Sequence, residues 1–89
     1  MTVSRTVEVT NRRGLHARAS AKFVTLAASQ PIPVQVAKGA SEVTGTSIMG
    51  LMMLGAAKGD LITISARGDA AEDVVATMCA LVEGKFGEE

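Results

Sequence analysis

The sequence predicts an α+β fold in which helices cover one face of a single antiparallel β-sheet. Several short segments alternate apolar and polar residues with period two, as half-buried strands do, and three others have the apolar spacing of amphipathic helices. These segments follow one another in the order β-α-β-β-α-β-α. Because each helix has one apolar face, packing all of them on one side of the sheet buries that surface in two layers. The 89 residues suffice for one domain, which we expect to span 1–89.

The first strand and the first helix are separated by a turn that contains a glycine. Residues 3–9 alternate apolar and polar side chains, which predicts a strand, and residues 11–14 interrupt the alternation. Apolar residues then recur with a helical period from about His16. We expect this helix to end near Ser29, because Pro31 disfavours helical backbone in the residue before it.

Two strands and a short helix are predicted in the middle of the chain. Residues 32–36 alternate again, with a proline near the start of the segment, and a third strand is expected at 41–44. Thr46 or Ser47 can cap the helix predicted at 48–54, since either hydroxyl can accept a hydrogen bond from a free N–H group of the first turn.

The last strand and the last helix complete the pattern. Residues 61–67 are predicted to form the fourth strand. Asp69 and Glu72 have the spacing of a capping box and predict the start of a helix whose apolar stripe extends to Val82. We expect the residues after Gly84 to fray.

The composition excludes several classes of function. Only 2% of the residues are aromatic and the net charge is zero, which argues against a nucleic-acid partner bound by base stacking or by general polyanion attraction. Cys79 is the one cysteine, so neither an intrachain disulfide nor a cysteine-based metal site can form, and we assign it a packing role. The sequence has no signal-like segment and no apolar run long enough to insert in a membrane. We therefore expect a cytoplasmic protein with no metal and no cofactor.

The charge is distributed unevenly, and the only histidine lies in the basic half. Residues 1–44 have six basic and two acidic side chains, a net of +4, and residues 45–89 have three and seven, a net of −4. The segment 12–22 contains four basic residues, His16 and no acid. Such a segment can face an anion or an acidic partner, although it can equally be a solvated basic surface.

The segment from Gly14 to Arg18 suggests a site for an anion carried on the imidazole. His16 falls at or just before the first helical residue, where free backbone N–H groups and the helix dipole favour negative charge. Arg18 could neutralise the anion, and imidazole is a nucleophile at neutral pH. The alternative is a histidine that caps the helix beside a solvated arginine. A hydrolase built on His16 lacks an acid nearby in the sequence to orient the ring.

Two motifs closely resemble the HPr family, the histidine-containing phosphocarriers of the bacterial phosphoenolpyruvate-dependent phosphotransferase system. They are Gly-Leu-His-Ala-Arg at 14–18 and Thr-Ser-Ile-Met-Gly-Leu-Met-Met-Leu-Gly at 46–55, and the resemblance covers essentially the whole chain. It implies an open-faced β-sandwich of four antiparallel strands with three helices on one face. It also implies that His16 is phosphorylated on Nδ1, that Arg18 lies beside it, and that Ser47 is the serine that HPr kinase phosphorylates in many bacteria.

The resemblance also implies partners and a role. Enzyme I would donate the phosphoryl group, IIA proteins would accept it, and HPr kinase/phosphorylase is a further partner if Ser47 is used. The protein would be a monomeric carrier and not an enzyme in the strict sense. One position departs from the family pattern, because Ala19 stands where the family usually has proline. Alanine also suits a first helical turn, so the phosphorylatable histidine is unaffected.

A second set of residues is predicted to form the surface on which partners dock. The helix at 48–54 has more apolar side chains than a short helix can bury; Leu51 and Leu54 should face the core, leaving some of Ile48, Met49, Met52 and Met53 exposed. Methionine suits a surface that binds several partners because it is flexible and polarisable, although methionines also fill gaps in cores. The predicted partner-binding residues are Arg12, Ala17, Ser20, Ile48, Met49 and Met52.

Besides a hydrolase built on His16, two alternatives to a sugar-transport phosphocarrier remain open. The first is a nitrogen-related member of the same family that regulates metabolism without sugar uptake. The second is a module of similar fold that binds a small anion or effector without covalent chemistry.

Overall fold

The computed structural model describes residues 1–88 and confirms the predicted order of elements. Four strands and three helices are followed by a short 3-10 turn at Lys85–Gly87. The elements are β1 (Thr2–Glu8), α1 (Ala17–Ala28), β2 (Val34–Lys38), β3 (Ser41–Thr44), α2 (Ile48–Met53), β4 (Leu61–Arg67) and α3 (Ala71–Glu83).

The four strands form one antiparallel sheet in the order β1-β4-β2-β3. β4 lies in the interior of the sheet, where Ile62 pairs with Val7 of β1 and Ile64 pairs with Val36 of β2. These four side chains are buried beneath the helices. The other face of the sheet is polar: the hydroxyls of Thr6 and Thr63, for example, lie 2.9 Å apart in an exposed hydrogen bond. Most apolar side chains of the strands thus point to the buried face of the sheet, and the polar side chains between them point to the open face.

The core lies between the sheet and the helices and is aliphatic except for its two phenylalanines. Phe23 of α1 and Met78 of α3 are completely buried, as is Leu51 of α2. Cys79 is also completely buried, and this burial raises the pKa of its thiol. Because a buried neutral thiol is unreactive, the geometry agrees with a packing role for Cys79.

Two element boundaries differ from the sequence-based expectation. The capping box predicted at Asp69 and Glu72 is wrong: Ala70 is the N-cap of α3 and makes no side-chain hydrogen bond. The N–H of Ala71 instead donates to the carbonyl of Gly68 at 3.1 Å, so a backbone turn satisfies the start of this helix. β2 begins at Val34, after Pro33, because proline has no N–H to donate to the ladder.

Residues 85–88 have a defined conformation, which contradicts the expectation that residues after Gly84 fray. Lys85, Phe86 and Gly87 all have left-handed backbone, with φ of 58°, 57° and 73°. The Phe86 side chain is 1% exposed, and its carbonyl accepts a hydrogen bond from Nζ of Lys22 at 2.9 Å. Burial of the ring offsets the cost of left-handed backbone at two residues that are not glycine.

Within the described part of the chain, none of the helices has the length and apolar character needed to cross a bilayer.

Candidate functional site

His16 is the N-cap of α1, and one of its ring nitrogens caps the helix. Its backbone is extended, with φ −74° and ψ −179°, and its Nδ1 accepts a hydrogen bond from the N–H of Arg18 at 3.2 Å. The side chain is 19% accessible to solvent. The capping role left open by the sequence is therefore the observed resting geometry, and it presents Nδ1 to the free N–H groups of the first helical turn.

The other ring nitrogen contacts an acid from the opposite end of the chain. Nε2 of His16 lies 2.6 Å from Oε2 of Glu88, whose second oxygen accepts a hydrogen bond from Nδ2 of Asn11 at 3.1 Å. The hydrogen bond from Asn11 lowers the pKa of the Glu88 carboxyl most, and the contact with His16 lowers it further. An ionised carboxylate can only accept, so the proton of a neutral ring lies on Nε2 and the lone pair on Nδ1.

The structure thus places an acid beside the histidine, although none lies near it in the sequence. Glu88 and Asn11 were both missed, because their proximity to His16 depends on tertiary structure. Asn11 is 1% exposed and also donates to the carbonyl of Gly14 at 2.8 Å, so it ties the turn to the tail. A signal was present in Phe86, since an aromatic residue in an otherwise polar tail indicates that the tail is anchored to the core.

Gly14 brings the histidine turn into contact with the loop that connects α2 to β4. Its φ is +66°, and a Cβ at this position would lie 2.3 Å from the carbonyl oxygen of Ala56. The same carbonyl accepts a hydrogen bond from the N–H of Leu15 at 2.9 Å. Glycine is required here for both its backbone conformation and its size.

The loop beneath Gly14 is held in turn by an acidic side chain. Oδ2 of Asp60 accepts a hydrogen bond from the N–H of Ala57 at 2.9 Å and lies 3.1 Å from Nζ of Lys38. The hydrogen bond from Ala57 and the contact with Lys38 lower the pKa of the Asp60 carboxyl. The position of His16 thus depends on a loop that is about forty residues away in the sequence but in contact with the turn that carries His16.

The basic residues predicted around His16 are exposed in the structure. Arg12, Arg13 and Arg18 present their side chains to solvent. Lys22 is exposed as well, although its ammonium is engaged by the tail through the carbonyl of Phe86. The surface beside the N-terminus of α1 therefore attracts anions through both side chains and the helix end.

The short helix α2 presents apolar side chains to solvent, as expected. Leu51 and Leu54 are buried, and Ser47 is the N-cap, with its Oγ accepting a hydrogen bond from the N–H of Gly50 at 2.9 Å. The helix packs against α1 and β3. Its exposed side chains are Ile48 at 41%, Met49 at 68%, Met52 at 41% and Met53 at 79%.

The prediction that Ser20 contacts partners is wrong. Ser20 is completely buried, and its hydroxyl donates to the carbonyl of Leu15 at 3.1 Å, so it stabilises the turn and cannot contact a partner. Arg12 and Ala17, from the same set, are exposed. Ala19, where the family usually has proline, is completely buried in the first turn of α1.

His16 therefore places Nδ1 at a helix N-terminus, and comparison with known proteins identifies the family of the chain. The family model described as "PTS HPr component phosphorylation site" matches residues 3–84. The chain belongs to the HPr family. Among curated members, phosphocarrier protein HPr of Neisseria meningitidis is 43% identical over 86 residues, covering 97% of each chain. Phosphocarrier protein NPr of Shewanella violacea is 35% identical over 86 residues, covering 97% of this chain and 94% of the relative.

Solved structures of HPr proteins share the fold. HPr-C-His from Thermoanaerobacter tengcongensis superposes with a TM-score of 0.90 at 40% sequence identity and covers 98% of both chains. A structure described as an HPr dimer from the same organism has a TM-score of 0.75, covering 92% of this chain and 94% of that one. The open-faced sandwich of four antiparallel strands and three helices is thus the HPr fold, and the protein is a phosphocarrier of the phosphotransferase system.

Proposed function

We propose that His16 accepts a phosphoryl group from phospho-enzyme I on Nδ1 and passes it to a IIA protein. The observation that supports this most is the placement of Nδ1 at the N-terminus of α1, with its lone pair facing the N–H of Arg18. Three arginines within four residues of His16 (Arg12, Arg13 and Arg18) are exposed, and the hydrogen bond at Nδ1 comes from a backbone N–H.

The proposed step uses the lone pair that now caps the helix. Nδ1 attacks the phosphorus atom, the bond from phosphorus to enzyme I breaks, and the electron pair of that bond stays with enzyme I. The N–H of Arg18 then loses its acceptor on the ring and becomes a donor for an oxygen of the phosphoryl group. Transfer to a IIA protein reverses these events. The carrier contributes position and charge, and its partners contribute the rest of the catalysis.

Mass spectrometry after incubation with enzyme I and phosphoenolpyruvate tests the carrier function. We expect one acid-labile phosphoryl group, released when a IIA protein is added. Stable, non-covalent binding of an anion without a change in mass would instead support the alternative of an effector-binding module.

The branch of the phosphotransferase system is a separate proposal. Both HPr and NPr proteins are relatives at 35% identity or more, so nitrogen-related regulation is a second candidate. The exposed methionines of α2 can adapt to more than one partner, and we favour a carrier that serves both sugar uptake and regulation. Comparing rates of transfer to a sugar-specific and to a nitrogen-related IIA protein distinguishes these roles: a strong preference for the nitrogen-related protein would identify a regulatory carrier.

We propose that partner proteins dock, one at a time, on the surface formed by α2 and the basic residues beside His16. Arg12, Ala17, Ile48, Met49 and Met52 are exposed and available for this role. We place this carrier in the cytoplasm. It would act as a monomer, since a dimer that covered α2 would block the docking surface. Sedimentation with and without enzyme I measures both the oligomeric state and the complex.

Replacing Arg18 should slow phosphoryl transfer. If the guanidinium neutralises the phosphoryl group in transit, Arg18→Ala should reduce the rate by about tenfold, and Arg18→Lys should recover only part of it, because lysine lacks the planar fork of arginine. Single-turnover transfer from enzyme I gives the rate. Arg67→Ala, at the exposed end of β4, is the matched control for a lost positive charge and should transfer at the wild-type rate. Wild-type rates in both Arg18 variants would show that the backbone N–H groups suffice.

A negative charge at Ser47 should weaken docking without unfolding α2. Ser47→Asp keeps a capping oxygen and adds a charge beside the exposed Ile48 and Met49, where partners need apolar contact. We expect slower transfer from enzyme I with unchanged thermal stability. Ser47→Ala should transfer normally and lose about 1 kcal/mol of cap energy.

The measurement is the transfer rate as a function of enzyme I concentration, together with melting curves of the three proteins. If Ser47→Asp transfers like the wild type, or fails only because it unfolds, Ser47 is a helix cap and not a regulatory position.

A further inference from the structure

We infer that Glu88 is a positioning residue of the carrier, which keeps one proton on Nε2 of His16 while Nδ1 accepts and releases the phosphoryl group. The inference rests on the proposed function and extends it to the C-terminal tail. It concerns the nitrogen that never contacts phosphorus. The chemistry at Nδ1 depends on that nitrogen, because the two share one aromatic ring.

The contacts of Glu88 are those of a fixed carboxylate. One oxygen lies 2.6 Å from Nε2 of His16, and the other accepts from the buried amide of Asn11 at 3.1 Å. The amide also donates to the carbonyl of Gly14 at 2.8 Å, which determines its orientation, since both of its contacts are acceptors. The carboxylate is therefore held from one side by the turn that carries His16.

The tail itself is built to deliver this carboxylate. Phe86 is buried as an anchor, and Lys22 of α1 binds the carbonyl of Phe86. Three consecutive left-handed residues, 85–87, then redirect the chain toward His16. Left-handed backbone at Lys85 and Phe86 costs free energy, and such strain persists only where surrounding contacts hold it. The contact with His16 is a consequence of this path.

The proton on Nε2 is needed in both directions of transfer. A neutral ring with its proton on Nε2 has its lone pair on Nδ1, which can form the bond to phosphorus. Once that bond has formed, the ring retains the Nε2 proton and carries a positive charge beside the negative Glu88. When the bond breaks, its electron pair returns to Nδ1 and neutral imidazole departs. Without the Nε2 proton the leaving group would be imidazolate, a much stronger base. No proton has to enter or leave the site.

The first experiment observes the Nε2 proton directly. His16 is the only histidine, so the imidazole signals of ¹⁵N-labelled protein belong to one residue. In the wild type we expect an Nε2–H resonance protected from exchange with water by Glu88. Glu88→Ala should lose it, and Glu88→Gln should retain it, since an amide oxygen can accept the same hydrogen bond. Glu83→Gln, at the exposed end of α3, is the matched control and should behave like the wild type.

The second experiment measures transfer in both directions with the same variants. We expect Glu88→Ala to slow phosphorylation by enzyme I and dephosphorylation by a IIA protein by about two- to fivefold, the range for one charged contact at a partly exposed position. Glu88→Gln should have an intermediate rate because it restores the hydrogen bond without the charge. Melting curves of the variants control for unfolding. We expect no large loss of stability, because the buried Phe86 still anchors the tail.

The outcomes separate this inference from the function on which it rests. An equally protected Nε2 proton in Glu88→Ala, or wild-type transfer rates in that variant, would overturn the role of Glu88 while leaving the carrier intact. A wild-type protein that enzyme I does not phosphorylate would overturn the proposed function, whatever the state of the Nε2 proton.

Discussion

Replacing His16 with alanine should abolish phosphorylation and leave the fold intact. His16 is the only imidazole in the chain, so no other side chain can form a phosphohistidine. The substitution removes the cap of Arg18 and the contact with Glu88, both at partly exposed positions, and should cost about 1 kcal/mol of stability. Radioactive or mass-spectrometric labelling with enzyme I and phosphoenolpyruvate measures the first effect, and thermal melting measures the second. Labelling that survives in His16→Ala would end the carrier proposal.

Gly14→Ala should have the largest effect on stability of any single methyl addition near the site. The new Cβ would lie 2.3 Å from the Ala56 oxygen and 2.9 Å from the Cα of Ala57, both of which are backbone atoms that cannot rotate away. Together with the left-handed backbone, this should cost about 2 kcal/mol or more. We also expect slower phosphorylation, since the turn that carries His16 must move.

Gly39→Ala is the matched control for this prediction. Gly39 has a similar φ of +61°, but nothing lies within 4 Å of its Cβ position. Its substitution should therefore cost only the conformational part, about 1 kcal/mol, and should leave phosphorylation unchanged. Equal losses of stability in the two variants, measured by denaturant unfolding, would show that the contact with Ala56 relaxes at no cost.

Local patterns were sufficient to predict the fold, because period-two and helical spacing are properties of neighbouring residues. The strands and helices follow the expected order, and the burial of Leu51 and Leu54 follows from the apolar excess of α2. The start of α3 was misplaced because a backbone hydrogen bond to Gly68 replaces the side-chain cap that the spacing of Asp69 suggested. Spacing alone does not distinguish these two ways of satisfying a helix end.

The candidate site was predictable only on the side that is local in sequence. His16 and Arg18 belong to one helix start, and the capping geometry follows from their spacing. Glu88 reaches the same imidazole from 72 residues away, by way of left-handed backbone that propensity does not predict. Ser20 was misjudged for a related reason: its position in the sequence does not show that the turn of the helix points its hydroxyl inward, to the carbonyl of Leu15.

The order of the strands in the sheet has a consequence for how this chain folds as it is made. β4 is the last strand to leave the ribosome, yet it pairs with β1 on one side and β2 on the other. Until residue 67 has emerged, only the hairpin of β2 and β3 can form native strand pairs. Pairing between distant segments must pay the entropy of loop closure before any contact compensates for it. We therefore expect the sheet to form only after β4 has been synthesised, and Glu88, which contacts His16, emerges later still.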